Sequence, residues 1–264
     1  MYDCHAHLAL PDFDDDRAEV LGRARDAGIK KIVVVAEDLQ DSRRVLAVCS
    51  RHPDLLCPCV GLHPDRFSED RPEPLTKDIQ AVCDLARRHR HEIVAIGEVG
   101  LDYWRVKTEH RRQLQRRCLR QMAELAAELD LPLNVHARSA GRHAIDLLAD
   151  CGAPKVLMHA FDGKAGYAAE AANTFGWLFS IPPSVVRSRQ KQKLARALPT
   201  ENLALESDSP VLGPDPKVRN EPANLIYTVH CIAKIKKIRK REVQNITCRN
   251  AENLFGTLQG HGKK

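Results

Sequence analysis

Eight short runs rich in β-branched and apolar residues recur along the chain, each followed by a helical pattern. They are Tyr2–His7, Lys31–Ala36, Leu56–Gly61, Ile93–Gly97, Leu133–His136, Val156–His159, Trp177–Ser180 and Leu203–Glu206. The helical patterns between and after them are Arg17–Ala27, Asp41–Arg51, Thr76–Arg90, Glu109–Asp130, Ser139–Asp150, Lys164–Asn173, Arg189–Ala197, Glu221–Lys237 and Arg241–Phe255. In Glu109–Asp130, the residues Leu114, Cys118, Met122, Leu125 and Leu129 recur at helical spacing. Alternation of this kind, without a break, predicts an α/β protein: a closed parallel (β/α)8 TIM barrel. An open doubly wound sheet is the alternative, but it normally carries a Gly-rich turn after its first strand. Here that turn is His5-Ala6-His7, and no nucleotide-binding glycine pattern occurs anywhere.

At 264 residues and 43% hydrophobic content, the chain can bury one large core. No repeat or clear linker divides it. The domain reading is therefore a single barrel over residues 1–258, with a short basic tail at 259–264. No apolar run is long enough for a membrane span, and no signal region precedes the first strand, so secretion is not expected. The nine cysteines form no framework and read as mostly buried thiols of a cytoplasmic or nuclear protein. The charge of +6 permits a polyanionic substrate without requiring one. A monomer is expected.

In a (β/α)8 barrel, chemistry sits at the C-terminal ends of the strands. The strand ends therefore test the fold and locate the site together. Strand 1 ends at His5 and His7, and strand 3 runs into His63. Strand 4 runs into Glu98, strand 5 ends at His136, strand 6 at His159, and strand 8 runs into Asp208. Six of eight strands thus carry polar residues at that end, while the strand bodies are apolar. The alternative is a polar rim with ordinary hydrogen bonds. His5, His7, Glu98, His136, His159 and Asp208 form a nitrogen and carboxylate set without thiolates. Such a set suits Zn2+ or Mn2+, or with more waters Mg2+. Six ligands exceed what one catalytic ion needs and fit a pair bridged by a carboxylate. A metal-dependent hydrolase follows, with phosphodiesters high among its substrates.

Several neighbours admit two readings. His63, in a Gly-x-His-Pro turn, is either a substrate phosphate contact or a turn-stabilising residue. Arg138, two residues beyond His136, either binds a phosphate bidentately or pairs with a carboxylate such as Asp162. Tyr103 and Trp104 either stack on a base or pack their loop. Asp3 is expected to face away from the His pair in a structural hydrogen-bond role. Lys234–Arg241 holds six basic residues in eight. It resembles a nuclear signal or nucleic-acid patch, although a solvated helix junction explains it equally.

Read together, Asp3-Cys4-His5-Ala6-His7, Gly61-Leu62-His63-Pro64, Gly97-Glu98-Val99-Gly100-Leu101-Asp102-Tyr103, Val135-His136-Ala137-Arg138, Met158-His159-Ala160-Phe161-Asp162-Gly163 and Glu206-Ser207-Asp208-Ser209-Pro210 resemble the TatD family of metal-dependent deoxyribonucleases. The motifs come in family order from Tyr2 to about Phe255. Arg138–Arg142, Phe179–Ser184 and Val218–Pro222 are most similar to the third vertebrate TatD-domain paralogue.

The resemblance implies an amidohydrolase-like barrel that cleaves DNA with a water activated by two divalent ions. The expected activity is 3′→5′ exonucleolytic, with abasic-site cleavage as a further activity. By motif match, His5, His7 and Asp208 would hold one ion and His136 and His159 the other. Glu98 would bridge them, and Asp208 would orient or deprotonate the water. The chain departs from the family pattern at Ser207, at Ala137 and in the loop Trp104–Lys107. The alternative function is an amidohydrolase-type enzyme acting on a C–N or ester bond of a small molecule. Such barrels often bridge their metals with a modified lysine at the end of strand 4, where this chain has Glu98.

Overall fold

The computed structural model describes residues 1–74 and 76–256; the basic tail 259–264 lies outside them. Eight parallel strands pair in chain order: β1 (Tyr2–Ala6), β2 (Lys31–Val35), β3 (Leu56–Val60), β4 (Ala95–Asp102), β5 (Leu133–Arg138), β6 (Val156–Met158), β7 (Leu178–Ile181) and β8 (Leu203–Leu205). The helices are α1 (Arg17–Asp26), α2 (Leu39–Cys49), α3 (Thr76–Arg88), α4 (Glu109–Glu128), α5 (Gly141–Asp150), α6 (Ala165–Phe175), α7 (Arg189–Ala197), α8 (Leu225–Lys236) and α9 (Lys240–Phe255). This is the (β/α)8 barrel that the alternation predicts. No helix among the described residues is long and apolar enough to cross a membrane.

Period-two alternation sorts the strand residues into two layers. Ile32, Val34, Leu56, Ile96, Leu133, Val135, Val156 and Phe179 point outward and join the cluster that packs the helices. Cys4, Val33, Val35, Cys57, Cys59, Ala95, Leu157, Leu178 and Ala204 fill the barrel interior. Six of the nine cysteines are buried and none is paired with another, as the composition led us to expect. The barrel floor is closed by α9, whose Ala251 and Phe255 join the interior cluster. Its Glu252 accepts a hydrogen bond from the Tyr2 hydroxyl at 3.0 Å.

Two irregularities shape the site. The β1–β2 register shifts between Asp3 and Ala6. Strict alternation would put Asp3 on the side of His5 and His7; the bulge instead sets it level with the outward-facing Ile32. The second shift lies between Ile96 and Val99. It carries β4 on to Asp102, well past the Gly97 end expected from the apolar run, so Glu98 lies inside the strand. Close approach requires glycine here: a Cβ on Gly97 would lie 2.7 Å from that of Asn134, and one on Gly61 2.5 Å from the Gly97 carbonyl carbon. Helix α8 also starts later than expected, at Leu225, because Pro222–Asn224 form a 3-10 turn.

The seam between β1 and β8 is closed above the end of β8. Asp208 N donates to His5 O at 2.9 Å, and His7 N donates to Ser209 O at 2.8 Å. The buried Asp3 carboxylate accepts from Ser207 N at 2.8 Å and from His5 N at 3.3 Å. The bonds that close the barrel therefore also fix His5, His7 and Asp208 relative to one another. Asp3→Ala leaves the buried Ser207 N–H without a partner and should cost about 1–3 kcal/mol. Asp3→Asn keeps an acceptor oxygen and should recover most of that loss, as read from urea unfolding midpoints.

Candidate metal centre

Toward the C-terminal ends of the strands the inner face turns polar. His5 lies on β1 and His7 follows it, His63 follows β3, Glu98 and Asp102 lie on β4, and Asn134 and His136 on β5. His159 follows β6, while Glu206 and Asp208 follow β8. These residues surround the buried Glu98 carboxylate. Its Oε2 lies 3.3 Å from His5 Nε2 and 3.2 Å from His7 Nε2. Asp208 Oδ1 lies 3.5 and 3.6 Å from the same two nitrogens, which are 3.3 Å apart. Ligand atoms tetrahedrally placed about 2.0–2.1 Å from one ion stand about 3.3–3.4 Å from each other. Glu98 Oε2 is buried, yet no hydrogen bond satisfies it. The donors therefore fit a cation at this point.

The other oxygen, Oε1, faces a second group. His136 Nδ1 is at 2.8 Å, and His63 Nε2 and His159 Nε2 are each at 3.3 Å. The rings of His5 and His159 stack, with centroids 3.7 Å apart. All six expected ligands and His63 thus converge around one carboxylate, and Arg138 stands apart from them at the mouth.

The far nitrogens of the rings determine what each near nitrogen can do. His5 Nδ1 is 2.8 Å from Asn134 Oδ1. Asn134 Nδ2 donates to Cys4 O, which fixes the amide, so His5 donates from Nδ1 and keeps the Nε2 lone pair for the centre. His159 Nδ1 donates to Glu206 Oε2 at 3.1 Å, and Glu206 is held in turn by Ser180 Oγ and Ala160 N. His136 Nε2 donates to Asp102 Oδ2 at 3.1 Å, leaving Nδ1 toward Glu98. Carboxylates and amides on the outer nitrogen are the usual support of metal-binding histidines. His63 is wired the opposite way. Its Nδ1 accepts from Asp65 N at 3.0 Å, so the neutral ring carries its proton on Nε2. That nitrogen is a donor aimed into the centre.

Charge follows the same pattern. Burial pushes the Glu98 carboxyl up, but His63, His5, His159 and His136 together hold it well below the usual carboxylate range. Burial opposes the charging of His7, yet Glu98 and Asp208 raise it to about 9. His159 rises well above its ordinary value against burial, through Glu98 and Glu206. His5, fully buried and beside His159, is lowered. The carboxylates thus favour the charged forms of His7 and His159, but not that of His5. Three backbones near it adopt left-handed φ: Ser139 (54°), Ala160 (37°) and Asp208 (52°). Such strain persists where the surroundings hold it. At Ala160 the holder is Lys191, which donates to the carbonyls of Ala160 and Phe161 from a buried position.

The sequence alone assigns no role to Asp102, Asn134, Glu206, Ser180 or Lys191. Asn134 could have been found: it lies two residues before His136 in an otherwise apolar strand, and so on the same face. Of the two readings of Arg138, the pair with Asp162 is not formed; Asp162 accepts from Ser139 N at 3.0 Å. Arg138 instead lies over the Trp104 ring, 3.8 Å from its centroid. Tyr103 is buried against His143 and accepts from Arg116 Nη1, so it packs the loop. In the basic stretch 234–241, Lys236 donates to the last carbonyls of α7, Arg196 O and Leu198 O. That end of α8 lies toward the barrel floor, away from the centre.

A family model described as TatD related DNase matches residues 2–256. The chain belongs to the TatD DNase family. It is 42% identical to the deoxyribonuclease TATDN3 of Homo sapiens, over 98% of this chain and 96% of that one. It is 30% identical to the 3'-5' ssDNA/RNA exonuclease TatD of Erwinia tasmaniensis, over 97% and 99%. In fold, it matches the crystal structure of a TatD homologue from Escherichia coli K12 with a TM-score of 0.87, at 24% identity over 97% and 98%. Membership makes the chain a hydrolase acting on ester bonds. It also agrees with the similarity to the third vertebrate paralogue drawn from the motifs.

If the outer-nitrogen partners set ligand quality, Asn134→Ala and Glu206→Gln should each weaken metal binding about 10- to 100-fold. Titration calorimetry with Zn2+ and Mn2+ would show it.

Proposed function

We propose that this TatD-family protein hydrolyses DNA phosphodiester bonds at a centre of two divalent ions bridged by Glu98. The observation that carries this is the division of the Glu98 carboxylate: each oxygen faces its own set of nitrogens. His5, His7 and Asp208 would hold one ion, and His136 and His159 the other. The donors are nitrogen and carboxylate oxygen, which suits Zn2+ or Mn2+ and admits Mg2+. Bound ions would supply charge neutralisation for the phosphate and acidity for a water.

The remaining roles fall to the chain. The Asp208 carboxylate, set inward by its left-handed backbone and the seam bonds, orients the attacking water and takes its proton. His63 Nε2–H donates to a phosphate oxygen of the substrate, consistent with its tautomer. Arg138, at the mouth, offers a guanidinium to a phosphate. We infer 3′→5′ exonucleolytic action, supported by the name carried by the Erwinia relative.

The test is digestion of 3′- and 5′-labelled oligonucleotides, single- and double-stranded and one with an abasic site, in Mg2+, Mn2+ and Zn2+. Chelator-sensitive shortening from the 3′ end that Asp208→Ala abolishes is the expected result. Cleavage confined to the abasic position would replace the exonuclease reading with an endonuclease. No cleavage in any metal, with two ions bound per chain, would sink the DNase assignment. Glu98→Ala should lower turnover by about a thousandfold or more and lose both ions by elemental analysis. Asp208→Ala should lose at most one. His63→Gln keeps a donor and should retain more activity than His63→Ala, with metal content unchanged in both.

A further inference from the structure

We propose that Trp104 and Arg138 form a stacking platform for one nucleobase of single-stranded DNA at the mouth of the centre. This rests on the nuclease reading above and adds what the enzyme grips beside the scissile phosphate.

Trp104 is 49% exposed, on the loop after β4. The Arg138 guanidinium lies 3.8 Å from its ring centroid, and Lys107 Nζ lies 5.8 Å from the same centroid. Exposed arginines on this protein commonly meet carboxylates, as Arg23, Arg87 and Arg142 do. Among the described residues, Arg138 and Lys107 have no such partner. The nearby acids are already engaged. Asp162 is on Ser139 N, Asp65 on Arg71 and Arg105, and Glu69 on the amides of Lys107 and Thr108. An indole beside two unpaired cations, with no carboxylate on it, suits a ligand that is both flat and anionic. Nucleic acid has both properties, and base–aromatic stacking tolerates any base. A duplex hides the faces of its bases, so the platform selects single strands or frayed ends.

The platform is also rigidly placed. Asp102 Oδ1 accepts from Trp104 N at 2.9 Å and from Arg105 N at 2.8 Å, while its Oδ2 holds His136. One carboxylate thus joins the loop to the centre. Glu69 clamps the loop's other end, and the Thr108 amide and hydroxyl with the Lys107 amide pull its carboxyl down to about 2. Arg138 follows His136 by two residues on the same strand face, roughly 7 Å further out. A base on the platform therefore sits beside the centre, and little ordering remains when it binds.

The chain has two tryptophans. Trp177 is 1% exposed, with its indole N–H bonded to Ala153 O, so a ligand at the mouth reports through Trp104. The full chain would be titrated in Mn2+ with a short phosphorothioate-linked oligothymidylate. Intrinsic fluorescence and the anisotropy of a labelled strand would be followed together. The expected result is saturable quenching in the wild type that disappears in Trp104→Phe while anisotropy still reports binding. Trp104→Ala should raise Kd about tenfold for oligothymidylate, and less than about twofold for an equally long strand of abasic residues. Equal quenching by the abasic strand, an unchanged Kd in Trp104→Ala, or no strand binding would overturn the platform. Cleavage of the ordinary phosphodiester strand, run in parallel, separates the two claims. Cleavage without quenching removes the platform alone, and quenching without cleavage in any metal removes the nuclease reading alone.

Discussion

A carboxylate inside a barrel is the constraint around which this structure is arranged. Glu98 is almost completely shielded from solvent, and an isolated buried anion would be strongly unfavourable. Here it is compensated by nitrogens from four other strands or their extensions. Each nitrogen is usable only if its ring is held, and the holders are themselves buried: Asn134 for His5, Glu206 for His159, Asp102 for His136. The polar interior is therefore largely satisfied outward from Glu98; among the described residues His7 Nδ1 also lacks a partner, and the network is left open toward the centre at Oε2. That opening is where a cation fits.

The network also explains why the barrel must be irregular. A regular β1 would put Asp3 beside His5, adding another carboxylate to the interior. The bulge turns Asp3 to the seam, where it binds Ser207 N and joins the first strand to the last. The shift in β4 likewise brings Glu98 into the strand and still leaves Asp102 at its end facing His136. The outer layer keeps strict alternation and packs the helices. Departures from regularity occur where the chemistry is.

Much of this was readable in the sequence. Apolar runs at regular intervals marked the eight strands, and the histidines and acids toward one end of them marked the residues that gather around Glu98. Strand ends were less legible. Gly97-Glu98-Val99-Gly100 breaks the apolar alternation, so β4 looked to end five residues before it does. Pairings between distant residues were not legible: spacing to His136 could place Asn134 on the inner face, but nothing near His5 signals that it meets Asn134, 129 positions away. Asp102 and Glu206 stood in the quoted motifs, but their roles depend on which ring nitrogen they meet. Nor could the sequence place Arg138, which lies over the Trp104 ring while Asp162 accepts from the Ser139 amide. The bond that makes His63 a donor comes from only two residues away, but it requires the turn geometry to be seen.

The two ends of the barrel have been divided between separate parts of the chain. The histidines and acids of the centre lie toward the C-terminal ends of the strands and in the loops that follow them, whereas α9 seals the opposite end with Phe255 among the interior residues. Seen as an object to be attached to something, the molecule has a front and a back. A bead, a surface or a fused partner joined after Phe255 would hold the barrel by its base and leave its opening facing the solution. The same attachment through the long loop between β8 and α8 would turn the opening toward the support.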